Sequence, residues 1–109
     1  MKLSRRLSTR GGIYLPKQHR LQLLWLAGTL LILKPTDDGG LSLHRYYSLL
    51  HHNHTGDYIR VTSSGAVTIP KKIRSQLGWK SGISLDLQLS DDGGLFIHPH
   101  CIKNKKEDF

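Results

Sequence analysis

Seven histidines, one cysteine and two Asp-Asp-Gly-Gly blocks are the side chains of this 109-residue chain that could do chemistry. His51, His52 and His54 stand together, and His98, His100 and Cys101 form a second cluster of the form H-x-H-C. Imidazole and thiolate are the ligands that zinc or nickel takes. Nothing, however, spaces these side chains on one rigid element. They read as a polar joint and a strand end, and no bound metal is expected. Asp37-Asp38 and Asp91-Asp92 could offer carboxylates to a metal, yet a hairpin turn explains both blocks fully, because Asp and Gly supply the positive φ that such turns demand. No nucleophile is set beside a base, no carboxylate pair is placed for acid–base work, and no glycine loop is built to cradle phosphate. No enzyme activity and no cofactor are therefore expected.

What remains is charge. Lys and Arg number 16 against 8 Asp and Glu, a formal net charge of +8. Such a field on a small chain favours polyanionic partners, nucleic acid or an acidic membrane surface. The charges are segregated. Lys2, Arg5, Arg6, Arg10, Lys17 and Arg20 follow one another with no acidic residue between them, as do Arg60, Lys71, Lys72, Arg74 and Lys80. Lysines such as Lys17, Lys71 and Lys72 suit phosphates as point charges. Arginines can read guanine through two hydrogen bonds, which makes Arg5, Arg10, Arg60 and Arg74 the better candidates for base contacts.

These residues recur because the chain repeats itself. Residues 7–46 align without a gap on residues 61–100 at an offset of 54, with sixteen of forty positions identical. Among them are Gly11/Gly65, Pro16/Pro70, Lys17/Lys71, Arg20/Arg74, Trp25/Trp79, Gly28/Gly82 and the whole DDGGL block. Each repeat reads as a short strand, a glycine turn, a second strand, a proline opening a short helix at its first position, then a third strand, the DDGG hairpin and a fourth strand. The helix is expected to run to about Trp25 in the first repeat and to Leu77 in the second. Gly78 sits where a helix-ending glycine belongs. The first repeat has Leu24 there, so its helix is expected to end differently. Trp25 and Trp79 read as core, and His44 and His98, at equivalent positions, as packing or hydrogen-bonding residues of the fourth strand.

About forty residues cannot bury a sufficient core alone, so the two halves are expected to complete one core as an intramolecular pseudo-dimer. The expected organisation is repeat one over 1–46, a joint over 47–57, repeat two over 58–102 and a charged tail over 103–109. The lone Cys101 excludes an internal disulfide framework. The apolar run Leu23–Leu33 is interrupted by Gly28 and falls short of the roughly 20 residues that span a bilayer. The first residues show no signal-peptide pattern. A cytoplasmic protein that does not enter membranes is expected.

The stretch VTSSGAVTIPKKIRSQLGWKSGISLDLQLSDDGGLFI (61–97) resembles the AbrB/MazE/SpoVT swapped-hairpin DNA-binding family. Gly65, the strand and proline of VTIP (67–70), KKIRSQLGW (71–79), Gly82 and the closing hairpin carry the likeness. Repeat one matches more loosely through GGIYLPKQHRLQL (11–23), Gly28 and the same hairpin. The resemblance implies a mainly β fold with short helices, a swapped-hairpin β-barrel that here would be built by two repeats of one chain. It implies a regulator of transcription, a repressor, that binds double-stranded DNA. Its DNA contacts would come from the first-strand region, the glycine turn and the helix after the proline: Arg60, Ser64, Lys71, Lys72 and Arg74 in repeat two, and Arg6, Arg10, Lys17 and Arg20 in repeat one. Some members carry arginine directly after the turn glycine, where this chain has Gly12 and Ala66. His19 and Leu21 also stand where repeat two has Ile73 and Ser75. The two DNA-facing halves are therefore unequal, and an imperfect palindrome is the expected target. The alternatives are an antitoxin-like autoregulator and a protein-interaction adaptor. The short tail argues against toxin neutralisation, which in the family usually uses a long C-terminal segment. Further self-association of the chain is left open.

Overall fold

The computed structural model describes residues 2–47 and 57–100. Most of the joint, with His51, His52 and His54, and the tail from Cys101 onward lie outside the described residues. The elements are β1 (Lys2–Arg6), β2 (Gly12–Tyr14), α1 (Lys17–Leu23), β3 (Leu30–Pro35), β4 (Leu41–Arg45), β5 (Asp57–Arg60), β6 (Ala66–Thr68), α2 (Lys71–Leu77), β7 (Ser84–Leu89) and β8 (Leu95–Pro99). The fold is mainly β with two short helices, and every strand pair is antiparallel.

Pro16 and Pro70 do not occupy the first helical position, as the sequence led one to expect. Both stand one residue earlier, extended, with ψ of 136° and 145°. The fixed φ of proline suits either place, and the helices begin at the lysines that follow. Both helices also stop alike. The Trp25 N–H donates to the Arg20 carbonyl at 2.9 Å and the Trp79 N–H to the Arg74 carbonyl at 2.9 Å, closing a glycine-type C-terminal cap in each. Gly78 supplies the left-handed residue in α2, at φ 73°; in α1 it is Leu24, at φ 59°. The expected difference in helix ending is absent because Leu24 adopts the conformation of the glycine it replaces. A residue with a Cβ meets a penalty of about 1–2 kcal/mol there. The Arg45 guanidinium offsets part of it by donating to the Leu24 carbonyl at 2.5 Å.

Six strands form one sheet in the order β1-β7-β8-β4-β3-β5, and β2 pairs with β6 as a separate two-stranded ribbon. The sheet is open, with β1 and β5 at its edges. The closed barrel implied by the family resemblance is not formed by the described strand pairings. Four of the six pairings join one half of the chain to the other: β1 with β7, β2 with β6, β3 with β5 and β4 with β8. Asp86 in β7 reinforces this exchange. It accepts from the Ser4 hydroxyl of β1 at 2.8 Å and lies 3.0 Å from Nδ1 of His100.

The alternation of the strands decides which side chains meet. Leu31, Leu33, Leu41, Leu43, Leu85, Leu87, Leu95 and Ile97 point to one face of the sheet and are buried. Ile13 and Val67, directly opposite one another on the ribbon, are buried against the same cluster with Trp25, Ile73 and Trp79. The core therefore lies between ribbon and sheet and takes leucines from both halves, each worth about 1.5–3 kcal/mol when fully buried. His19 of α1 occupies the buried place that Ile73 holds in α2. Replacing Leu24 by glycine should relieve the left-handed strain at no cost in buried surface. The expected gain is about 0.5–1 kcal/mol in unfolding free energy, read from urea denaturation.

Candidate nucleic-acid interface

The β2–β6 ribbon pairs Gly12 with Thr68, Ile13 with Val67 and Tyr14 with Ala66. Its inner side is Ile13 and Val67. Tyr14, 63% exposed, and Thr68 stand on the outer side. A turn leads into each strand and is closed by a hydroxyl. Ser8 Oγ accepts from the Gly12 N–H at 2.8 Å, and Thr62 Oγ1 from the Ala66 N–H at 3.0 Å.

Each turn is held by the other half of the chain. The Gly11 carbonyl accepts from the Ile69 N–H at 2.8 Å, and the Gly65 carbonyl from the Leu15 N–H at 3.0 Å. A guanidinium then lies across each glycine. Arg74 Nε donates to the Ile69 carbonyl at 2.9 Å, and a Cβ on Gly11 would sit 2.6 Å from that nitrogen. Arg20 Nε donates to the Leu15 carbonyl at 3.2 Å, and a Cβ on Gly65 would sit 2.5 Å from its Cζ. Both glycines also hold φ above 80°, where glycine alone is unstrained. Glycine is thus required twice over, by backbone conformation and by the arginine above it.

This arrangement redistributes the residues expected to meet DNA. Sequence alone groups them by repeat, whereas the fold groups them crosswise. At one end of the ribbon, the turn carrying Arg10 lies against α2, with Lys71, Lys72 and Arg74. At the other end, the turn carrying Ser64 lies against α1, with Lys17 and Arg20. Arg10, Ser64, Lys17, Lys71 and Lys72 are exposed, and Arg20 and Arg74 are half-buried. Lys72 Nζ sits 3.4 Å from Asp57, an exposed pairing of little energetic weight. Arg6 and Arg60 lie apart from these ends. They donate to the carbonyls of Gly82 (3.2 Å) and Gly28 (2.8 Å), tying each first strand to the loop beyond the other half's helix. Arg5, half-buried on β1, donates to the neighbouring Ser4 carbonyl at 2.8 Å. Sequence reasoning passed over Tyr14 and Thr68. The alternation Ile13-Tyr14-Leu15 and Val67-Thr68-Ile69 was the signal that could have placed both on the outer side of the ribbon.

The DDGG hairpins are also exchanged. His44 Nε2 lies 3.0 Å from Asp92, and His98 Nε2 lies 3.1 Å from Asp38, each pair crossing between halves. The imidazoles rest on Gly94 and Gly40, where a Cβ would come within 2.5 Å of each ring. The Trp79 indole N–H donates to the Gly39 carbonyl at 3.2 Å, and Asp92 and Gly93 line a cleft with Leu23 and Trp25. The acidic turns therefore lie by the C-terminal ends of the helices, and the lysines at their starts. Among the described residues, no three His, Cys, Asp or Glu side chains come together as a metal site.

A hydrogen bond from Thr36 holds the Asp38 carboxyl below its usual range, with His98 adding to the effect. Asp92 is held down by Ser90 and then by His44.

Residues 58–108 match the family of MazE, the bacterial antitoxin of antidote–toxin recognition. No curated protein matches the chain. The MazE-type match covers β5 from Tyr58 onward, β6, α2, β7 and β8 and the sequence that follows, and it supports a MazE/AbrB-type domain there. Residues 2–47 lie outside it, joined to it by sequence repetition and by the pairings above. No helix among the described residues is long and apolar enough to cross a membrane.

Two outcomes are expected from these contacts. Gly11→Ala and Gly65→Ala should each lower the unfolding free energy by about 2–3 kcal/mol in urea titrations, through strain and displacement of the covering arginine. Asp38 and Asp92 have folded pKa values below the unfolded value. Their stabilisation is complete above the ordinary 3.8 and is lost as pH falls through the lowered values. Asp38→Asn combined with Asp92→Asn should flatten the decline of the urea midpoint below about pH 4.

Proposed function

We propose that this chain is a cytoplasmic transcription regulator, a repressor, that binds double-stranded DNA with sequence preference. Two AbrB/MazE-type repeats would act in it as an intramolecular pseudo-dimer, with no catalytic step. The observation that carries the reading is the β2–β6 ribbon flanked at each end by a glycine turn and a helix start from opposite repeats. A two-stranded ribbon fits the major groove of B-DNA. Cation sets in two-fold relation meet phosphates in two-fold relation, as in dimeric binders. Lys17, Lys71, Lys72 and Arg10 contact phosphate or base edges. Arg20 and Arg74 hold the turns in place while adding their charge to the field. Arg5, Arg6 and Arg60 lie on the flanks and contribute to that field rather than to base reading.

The two ends are unequal: Arg10 with Lys71, Lys72 and Arg74 at one, Ser64 with Lys17 and Arg20 at the other. Tyr14 faces outward where repeat two has Thr68. An imperfect palindrome follows, with one half-site read more strictly. The description of the matched family favours a second reading, that of an antitoxin-like regulator whose partner is a toxin. Complex formation with a protein that survives high salt would favour that reading over DNA.

Fluorescence anisotropy with mixed-sequence duplex DNA across a salt series tests the proposal. Affinity should fall with a log–log slope of about −4 to −7. Lys71→Ala and Arg10→Ala should each reduce that slope by about 1, and Asp91→Ala should leave it unchanged. No binding at low salt would overturn the DNA reading, and a larger effect from Asp91 than from Lys71 would overturn the proposed face. On a selected operator, scrambling one half-site should cost more affinity than scrambling the other.

A further inference from the structure

We infer that Leu21, Leu24 and Leu26, at the end of α1, form a self-association face through which two copies of this chain meet about a two-fold axis. The three side chains are 59%, 68% and 67% exposed. Repeat two sets Ser75, Gly78 and Lys80 at the same places, on a helix of the same length closed by the same two cap hydrogen bonds. The fold therefore does not ask for leucine at any of the three. At position 24 it is served better by glycine, because Leu24 holds φ 59°. An apolar side chain kept in a strained backbone and turned to water has its use outside the fold.

The occupant follows from charge. With a net +8, copies of this chain repel one another over most of their surface. From Leu21 to Leu33 there is no charged residue. A two-fold contact places the same patch on both sides, so leucine meets leucine at its centre. Arg45, bonded to the Leu24 carbonyl, borders the patch. Arg45 and Asp92 line the adjoining cleft with Leu23, Trp25 and Tyr47. One charge of each sign beside the patch is what a self-complementary contact needs. The three leucines expose roughly 350 Å² per copy, and two copies would bury roughly 700 Å² through them, below the roughly 1,200 Å² of a standard stable interface. The dimer is therefore weak and reversible.

Sedimentation equilibrium of the full chain, from about 10 µM to about 1 mM and at two salt concentrations, tests this. The apparent mass of the wild type should climb toward twice the chain mass at the upper concentrations. Raising salt should leave the association unchanged or strengthen it. A triple variant carrying the residues of repeat two, Leu21→Ser, Leu24→Gly and Leu26→Lys, should stay monomeric with a melting temperature no lower than the wild type. Leu24→Gly alone should weaken association about threefold or more while remaining folded. A wild type that is monomeric throughout, association abolished by salt, or a triple variant that associates like the wild type would each overturn the assignment. The first of these would leave the patch to an apolar partner of another kind.

Discussion

A guanidinium laid across a bare glycine, once in each direction, is the contact on which the rest of this structure depends. Arg74 of the second helix covers Gly11 and Arg20 of the first covers Gly65. Each arginine donates to the last carbonyl of the ribbon segment on its own side, and each glycine carbonyl accepts from the opposite ribbon segment. The ribbon, the turns that end it and the helices that follow are thus fixed relative to one another by these hydrogen bonds and by the close approach of each guanidinium to its glycine. The positions of Arg10, Ser64, Lys17 and Lys71 all descend from them. A side chain as small as a methyl group at either glycine would part the two halves where the charge is concentrated.

Duplication and divergence act on different layers of the molecule. The buried layer stays close to symmetric: Leu31 with Leu85, Leu33 with Leu87, Leu41 with Leu95, Trp25 with Trp79. The exchanged His–Asp pairs are symmetric as well, His44 with Asp92 and His98 with Asp38. The outer layer has drifted. Tyr14 stands where the second repeat has Thr68, Leu21 where it has Ser75, Leu24 where it has Gly78 and Arg10 where it has Ser64. A core shared by both halves tolerates little change in volume, while a surface position answers only to what it touches.

Much of the fold was legible in the sequence, and the reason is the repeat. The DDGG blocks placed two hairpins, the prolines placed two helix starts within one residue, and the alternation in SLDLQL placed a half-buried strand. The tryptophans at the helix ends are buried, as their place there implied. What the sequence hid was partnership. Nothing in a list of residues says that β1 pairs with β7 rather than with its neighbour, or that Arg10 lies beside the helix of the other repeat. Arg20 and Arg74 look like any exposed helical cations until the glycines opposite them are seen. The end of α1 misled for a related reason: propensity disfavours leucine in the left-handed region, yet the same two cap hydrogen bonds that close α2 on Gly78 close α1 on Leu24.

The pairing of β1 with β7 has a further bearing on how the molecule comes into being. Lys2 lies opposite Gln88, and Leu3 opposite Leu87, so β1 is made well before the strand it pairs with. At about 5–20 residues per second, several seconds separate the synthesis of the two strands. During that interval the early half carries its leucines without the strands that cover them. The native arrangement can close only after β8 has left the exit tunnel. A chain cut before β7 would thus leave β1 without the strand it pairs with.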